Sequence, residues 1–220
     1  MNKELILRLT KYKRILNKLK ALGLERVFSN NLGDAIGVSP ALVRKDFSNL
    51  SLPGNKRGGY NIDDLTERLD RVLGYDENQN VIIVGCGRIG TALMRFDEFH
   101  HEGIRIKAGF DAAPEHVDNS TEIPVYPLEK LPEFVKENDI RVGIIAVPDN
   151  AASQVFDLMV TSGIKGILNF AAVELKCAAI EKDCPANCTV HNVNIGLEIE
   201  HLFYQLNLTE SGIGCEDSSD

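Results

Sequence analysis

The chain has 220 residues, no tryptophan and only 6% aromatic residues, and none of its apolar runs approaches the roughly 20 residues that span a bilayer. No membrane-spanning helix is expected. Nor is a secretory leader, because Met1-Asn-Lys-Glu-Leu-Ile-Leu-Arg8 opens an amphipathic helix where an apolar h-region would stand. These absences predict a cytoplasmic protein. Cysteine is sparse and unpatterned: Cys86, Cys177, Cys184, Cys188 and Cys215 form neither a disulfide framework nor paired CxxC motifs. Cys177, Cys184 and Cys188 cluster in sequence, but no fourth ligand follows at zinc-like spacing. No metal is expected, and the thiols read as buried or loop residues of a reducing compartment. The five histidines, His100, His101, His116, His191 and His201, fall in no chemistry-bearing motif. A dehydrogenase needs a positioned acid or base and a substrate domain, for which little chain remains. A small oxidoreductase is therefore the weaker reading.

A positive net charge is also missing, since 24 Lys and Arg face 32 Asp and Glu for a net of −8. The average conceals a division. Residues 1–60 hold 12 basic and 4 acidic side chains, a balance of +8, whereas residues 61–220 hold 12 basic and 28 acidic, a balance of −16. A basic module facing nucleic acid, joined to an acidic domain, has this asymmetry.

The basic part opens with Leu5, Leu9, Tyr12, Ile15/Leu16 and Leu19 at helical spacing. Lys11, Lys13, Arg14, Lys18 and Lys20 occupy the other faces, and Gly23 stops the helix. A short helix over 29–36, capped by Ser or Asn, leads into the turn Gly37-Val-Ser39. Ser39 suits an N-cap and Pro40 the first position of a helix running to Leu50. Two short helices about a glycine-containing turn predict a helix-turn-helix, whose second helix enters the major groove carrying Arg44, Lys45 and Ser48. Leu52-Pro-Gly-Asn-Lys-Arg-Gly-Gly-Tyr-Asn-Ile62 reads as a β-wing, with Lys56, Arg57 and Gly58 at its tip and Tyr60 on its return. Asp63 is the expected cap of a helix over 64–73, ended by Gly74. The polar stretch 75–80 reads as a linker.

Asn80-Val-Ile-Ile-Val-Gly-Cys-Gly-Arg-Ile-Gly90 then runs an apolar strand into Gly85-x-Gly87-x-x-Gly90. A helical pattern follows, and Asp111 stands 21 residues past the last glycine. This is the dinucleotide fingerprint in context: Gly85 for the tight turn, Gly87 for approach of the pyrophosphate, Gly90 for close packing of helix on strand. Cys86, Arg88 and Ile89 complete the loop, and the helix N-terminus offers N–H groups to the phosphates. Asp111, accepting from both ribose hydroxyls and repelling a 2′-phosphate, favours NAD(H) over NADP(H).

Strands are expected over 81–84, 104–110, 123–126, 141–147, 164–168 and 188–193, and helices over 88–99, 128–138 and 150–162. Such alternation predicts an α/β fold with a parallel sheet and its ligand at the carboxyl ends of the strands. Two segments at such ends, Ala146-Val-Pro-Asp149 and Asn169-Phe-Ala-Ala172, could wall the pocket or be ordinary turns. Ile195, Leu197, Ile199, Leu202, Phe203 and Leu206 give the last helix a broad apolar surface, to be buried on its own domain or on a partner subunit. The expected organisation is a winged helix-turn-helix domain (1–76), a Rossmann-like domain (77–193), a dimerisation helix (194–208) and a disordered acidic tail (209–220).

Val43-Arg-Lys-Asp-Phe-Ser48 with Lys56-Arg-Gly-Gly-Tyr60, and Gly163-Ile-Lys-Gly-Ile-Leu-Asn-Phe170, resemble the redox-sensing transcriptional repressor family Rex, in the same order along nearly the whole chain. The resemblance implies a homodimer with an exchanged C-terminal helix, which binds inverted-repeat operator DNA when NAD+ dominates and releases it on binding NADH. It places Arg44, Lys45 and Ser48 at the major groove and Arg57 at the minor groove. It further implies that Gly85, Gly87, Gly90, Asp111, Pro148, Asn169 and Phe170 line the cofactor site, to which the segment reading adds Val147. One departure stands out. The family's arginine of the first helix matches Arg14, but its switch tyrosine is Phe96 here and its switch aspartate is Asn194. A weakened redox response, another nucleotide such as coenzyme A, or a degenerate pocket serving only dimerisation are the alternative readings.

Overall fold

The computed structural model describes residues 3–50, 58–74, 79–117, 122–177 and 188–210. The chain divides into two compact units, Met1–Gln79 and Asn80–Asp220.

The first unit runs α1 (Lys3–Ala21), β1 (Arg26–Val27), α2 (Ser29–Ile36), α3 (Pro40–Asn49), β2 (Tyr60–Asn61) and α4 (Ile62–Leu73). The three- and four-residue spacing of α1 buries Leu9, Tyr12 and Leu16 completely against Leu32, Val43, Phe47, Leu65 and Leu69. Phe47 is the hub, edge-on to Tyr12 at 5.2 Å and to Tyr60 at 5.0 Å between ring centroids. Gly37 closes α2 in the left-handed conformation at φ +74°, and Ser39 Oγ accepts from Leu42 N–H at 3.2 Å to start α3. Gly33 is needed inside α2, since a Cβ there would lie 2.6 Å from the Val38 carbonyl oxygen and hold the turn away.

Three expectations shift. The cap of α2 is Phe28, whose N–H donates to Asn31 Oδ1 at 3.2 Å, so Ser29 already belongs to the helix. The cap of α4 is Asn61, whose Oδ1 accepts from Asp64 N–H at 3.0 Å; Asp63 and Asp64 lie in the first turn, where the helix dipole favours acids. The return strand of the wing, β2, pairs antiparallel with β1, a two-residue strand ahead of α2 that has no periodicity to reveal it. The expected wing tip at Lys56 and Arg57 lies outside the described residues.

The second unit runs β3 (Gln79–Val84), α5 (Arg88–Met94), α6 (Glu98–His101), β4 (Ile104–Asp111), β5 (Val125–Pro127), α7 (Leu131–Glu137), β6 (Val142–Ile145), α8 (Asp149–Thr161), β7 (Gly166–Asn169), β8 (Thr189–Asn192) and α9 (Ile195–Glu210). Its six strands stand in the order β5-β4-β3-β6-β7-β8, and β3–β6, β4–β5, β6–β7 and β7–β8 pair in parallel. Ile82 and Val84 pack with Leu131, Val135 and Met159 of α7 and α8, whereas Val81 and Ile83 pack with Met94 of α5. Burial on both faces explains why β3 is apolar throughout instead of alternating.

The helix expected over 88–99 ends early. Arg95 leaves helical geometry at φ −93°, ψ 5°, and Phe96 and Asp97 lead into the separate α6. The helix expected from 128 begins as a 3₁₀ turn, Leu128–Lys130, with Pro132 tolerated in the first turn of α7. On α9, Ile195, Leu197, Ile199, Leu202, Phe203, Tyr204 and Leu206 are all about half exposed or more, up to 63% for Phe203. Its own domain does not bury this helix.

Candidate nucleotide cleft and nucleic-acid face

A cleft of about 630 Å³ opens at the carboxyl ends of β3, β4, β6 and β7. There the chain leaves β3 toward one side of the sheet and β6 toward the other, the position at which open α/β sheets bind ligands. Gly85, Gly87, Arg88 and Ile89 supply one wall, Asp111 and Ala112 a second, and Ala146, Val147, Pro148 and Asp149 a third. Phe170, Ala171 and Ala172 close it.

The three glycines do three different things. Gly85 has φ +95°, and a Cβ there would stand 2.5 Å from the Ala146 carbonyl oxygen. A Cβ at Gly90 would overlap the Gly85 carbonyl oxygen, so α5 sits on the loop backbone itself. At Gly87 a Cβ would meet nothing within 4 Å. Its missing side chain leaves open space at the N-terminus of α5, the end of a helix whose backbone N–H groups suit an anion.

Asp111 is anchored through both oxygens. Oδ2 accepts from Cys86 N–H at 2.7 Å and Oδ1 from Ala113 N–H at 3.0 Å. Each carboxylate oxygen has a second acceptor site, so the orientation is fixed while capacity for a ribose diol remains. Cys86 is 4% exposed, and its thiol is pushed up to about 12 by burial and then by the Asp111 charge. A thiol held protonated in this way is inert, in keeping with a loop-filling residue.

Several expected lining residues act one layer back. Cys86 and Gly90 face the protein rather than the cleft. Asn169 is fully buried: its Oδ1 accepts from Ala171 N–H at 3.0 Å, and its Nδ2 donates to the Val173 carbonyl at 2.8 Å and to Asn192 Oδ1 at 2.9 Å. It thereby shapes the loop that presents Phe170 and Ala172. Phe96 and Asn194 are not among the cleft residues. Phe96 stacks edge-on to Phe99 at 5.1 Å, and Asn194 Oδ1 accepts from Leu197 N–H at 3.0 Å as the N-cap of α9. Asp149 closes the segment that the sequence offered as a possible wall, and it does line the cleft, but its partner could not be read from the sequence. Its Oδ1 accepts from Ala172 N–H at 2.8 Å, tying the two far walls together.

In the first unit, Arg44, Lys45 and Ser48 are all exposed on α3, opposite the buried Val43 and Phe47. Arg44 Nη1 donates to Ser29 Oγ at 3.0 Å, which braces the guanidinium near the start of α2. Ser39 is exposed at the head of α3, and Arg14 is exposed on α1. The Gly58 carbonyl accepts from Arg26 Nη1 at 2.6 Å, and Tyr60 is half-buried against Phe47 with its phenol raised by desolvation. Tyr60 is thus first a packing residue. Of the basic side chains on α1, Lys13 pairs with Asp70 at 2.5 Å and Lys20 with Asp63 at 2.6 Å, so part of the positive charge is spent within the unit.

Beneath this face lies a cluster that the sequence reading overlooked. Asp46, 2% exposed, receives Arg8 Nε at 2.8 Å, Arg8 Nη2 at 2.9 Å and the Tyr12 hydroxyl at 3.1 Å. Burial raises the Tyr12 phenol, and the Asp46 charge raises it further; the hydrogen bond to Asp46 is the main cause raising Arg8. An acid between Val43 and Phe47 on the apolar side of a helix was the available signal, since such a group is rarely buried unpaired.

Among the described residues no group of three or more His, Cys, Asp or Glu comes together to hold a metal, and no helix is long and apolar enough to cross a membrane.

Residues 76–173 match the family model described as a CoA binding domain, and residues 3–48 match that of a putative DNA-binding protein N-terminus. The redox-sensing transcriptional repressor Rex of Desulforamulus reducens is 36% identical over 206 residues, covering 93% of this chain and 95% of its own. The repressor of the same name from Pediococcus pentosaceus is 38% identical over 201 residues, covering 90% and 93%. Among solved structures, RSP in complex with beta-NAD+ and operator DNA superposes with a TM-score of 0.82 at 28% identity, covering 100% of this chain and 99% of that one. RSP with beta-NADH gives 0.74 at 29% identity, covering 96% of each. With both the basic head and the nucleotide cleft inside matches that run almost end to end, the chain belongs to the Rex family of redox-sensing transcriptional repressors.

Proposed function

We propose that this protein is a cytoplasmic, non-enzymatic repressor that binds operator DNA through α3 and releases it when NADH occupies the cleft. The observation that carries the reading is the cleft itself: an anion-ready helix start at Gly87 and a fixed carboxylate at Asp111, in a chain that also carries a helix-turn-helix. The RSP complexes with NAD+, with NADH and with operator DNA support both halves of it. Arg44, Lys45 and Ser48 are the proposed major-groove residues, and Lys56 and Arg57 the proposed minor-groove residues.

Two heads must meet two half-sites about one helical turn apart, so the working form is a homodimer. Seven exposed large apolar side chains on α9 favour that helix as the dimer surface, covered by a second copy. NADH need only prefer the conformation that does not fit DNA. A coupling of about 1–3 kcal/mol would change operator affinity some 5- to 150-fold.

A second reading keeps the DNA-binding head and alters the switch. Phe96 has no hydroxyl to donate, and the carboxamide oxygen of Asn194 is already engaged as a helix cap. Coenzyme A is the weaker ligand, because Asp111 suits a free ribose diol and coenzyme A is phosphorylated at the 3′ position.

The test is fluorescence anisotropy of a labelled inverted-repeat operator at fixed salt, titrated with NADH and separately with NAD+. Release by NADH alone is the expected result. Operator binding indifferent to both nucleotides would leave a repressor with a different ligand.

A further inference from the structure

Among the described residues, three ionisable side chains line the cleft, Arg88, Asp111 and Asp149. Arg88 and Asp111 belong to the half of the sheet around β3 and β4. Asp149 belongs to the other half, in the first turn of α8, with its carboxylate fixed by Ala172 N–H at 2.8 Å.

A dinucleotide with its adenosine ribose on Asp111 and its pyrophosphate over Gly87 must run on toward the ends of β6 and β7, since the adenosine end fills the ends of β3 and β4. Its nicotinamide then shares the space lined by Pro148, Asp149, Phe170 and Ala172. The oxidised ring carries one positive charge and the reduced ring none, and the two have nearly the same shape. A fixed carboxylate there acts on one form and hardly on the other.

We propose that Asp149 biases the redox preference of the cleft, its charge stabilising the oxidised nicotinamide relative to the reduced one. The inference rests on the nucleotide reading above and adds the residue that biases it. Asp149 is exposed in the unliganded cleft, so solvent screens its charge and the bias is a few-fold, not several orders of magnitude. The same side chain also holds the loop after β7, a positioning role that would affect both nucleotides alike.

Asp149→Asn separates the two roles, because the amide oxygen still accepts from Ala172 N–H while the charge is gone. Dissociation constants of NAD+ and NADH are measured separately by calorimetry on the full chain, its Asp149→Asn and Asp149→Glu variants, and Asp111→Asn as reference. Asp149→Asn is expected to weaken NAD+ about fivefold, the scale of one screened unit charge, and to leave NADH within about twofold. Asp149→Glu, which keeps the charge, keeps the wild-type ratio, and Asp111→Asn weakens both nucleotides together. A common shift of both nucleotides in Asp149→Asn, or no shift in either, overturns the inference. If the wild-type chain binds neither nucleotide, the nucleotide reading itself falls, a result distinct from the other two.

Discussion

The two units hold their working residues in opposite ways. In the first, the proposed DNA face consists of projecting side chains, and α3 is fixed from beneath by a buried charge: Asp46 gripped by Arg8 and Tyr12. In the second, the cleft is made largely of backbone and of missing side chains, with Gly85, Gly87 and Gly90 letting strand, loop and helix close on one another. A DNA face needs long cationic groups aimed outward, so its support must come from the other side of the helix. A pyrophosphate site needs bare N–H groups, so its support is steric and lies in the chain itself. The two units should therefore fail differently when altered.

The largest effect is expected in the first unit. Asp46→Ala leaves the Arg8 guanidinium and the Tyr12 hydroxyl without their shared acceptor and should destabilise that unit by about 3 kcal/mol, read by chemical denaturation. An unchanged midpoint would mean that Arg8 and Tyr12 find other partners, and the contrast between the units would weaken. Next comes Gly90→Ala, whose methyl overlaps the Gly85 carbonyl oxygen. It should cost about 2–3 kcal/mol through strain and lower nucleotide affinity more than tenfold, measured by calorimetry beside thermal melting. Full nucleotide affinity in that variant would show that the loop can move without losing its site. The smallest is Arg44→Ala. It removes a projecting group and no support, so the melting temperature should hold while operator affinity falls by about 1–3 kcal/mol. Unaltered operator binding would take Arg44 out of the interface.

Much of this is legible in the sequence alone. The glycine loop announced itself because its requirements are local: a turn, a close approach and a helix start within six residues. Ser39, Pro40 and Gly37 were equally legible, since caps and turns obey short-range rules. The alternation of strands and helices came through because hydrophobic periodicity survives in single segments. Boundaries moved where the competition is local and nearly balanced, as at Asn61 against Asp63 for the cap of α4, or at Arg95, where α5 stops short.

What escaped has a common cause. β1 is two residues long and exists only because β2, over 30 positions later, pairs with it. Asp46 and Arg8 are 38 residues apart, and Asp149 and Ala172 are 23 apart. No periodicity or spacing links such partners, because the bond between them forms only when packing brings two elements together.

The sequence by itself determined the kind of molecule: a basic helix-turn-helix joined to an acidic dinucleotide fold, written in composition, caps and glycines, all of which act over a few residues. Tertiary structure alone decided which side chains stand in the cleft and which stand behind it. It buried Asn169, placed Asp149 on the rim and left the apolar surface of α9 uncovered by its own domain. Burial is a property of packed elements, and the chain acquires it only when residues distant in sequence exclude water together.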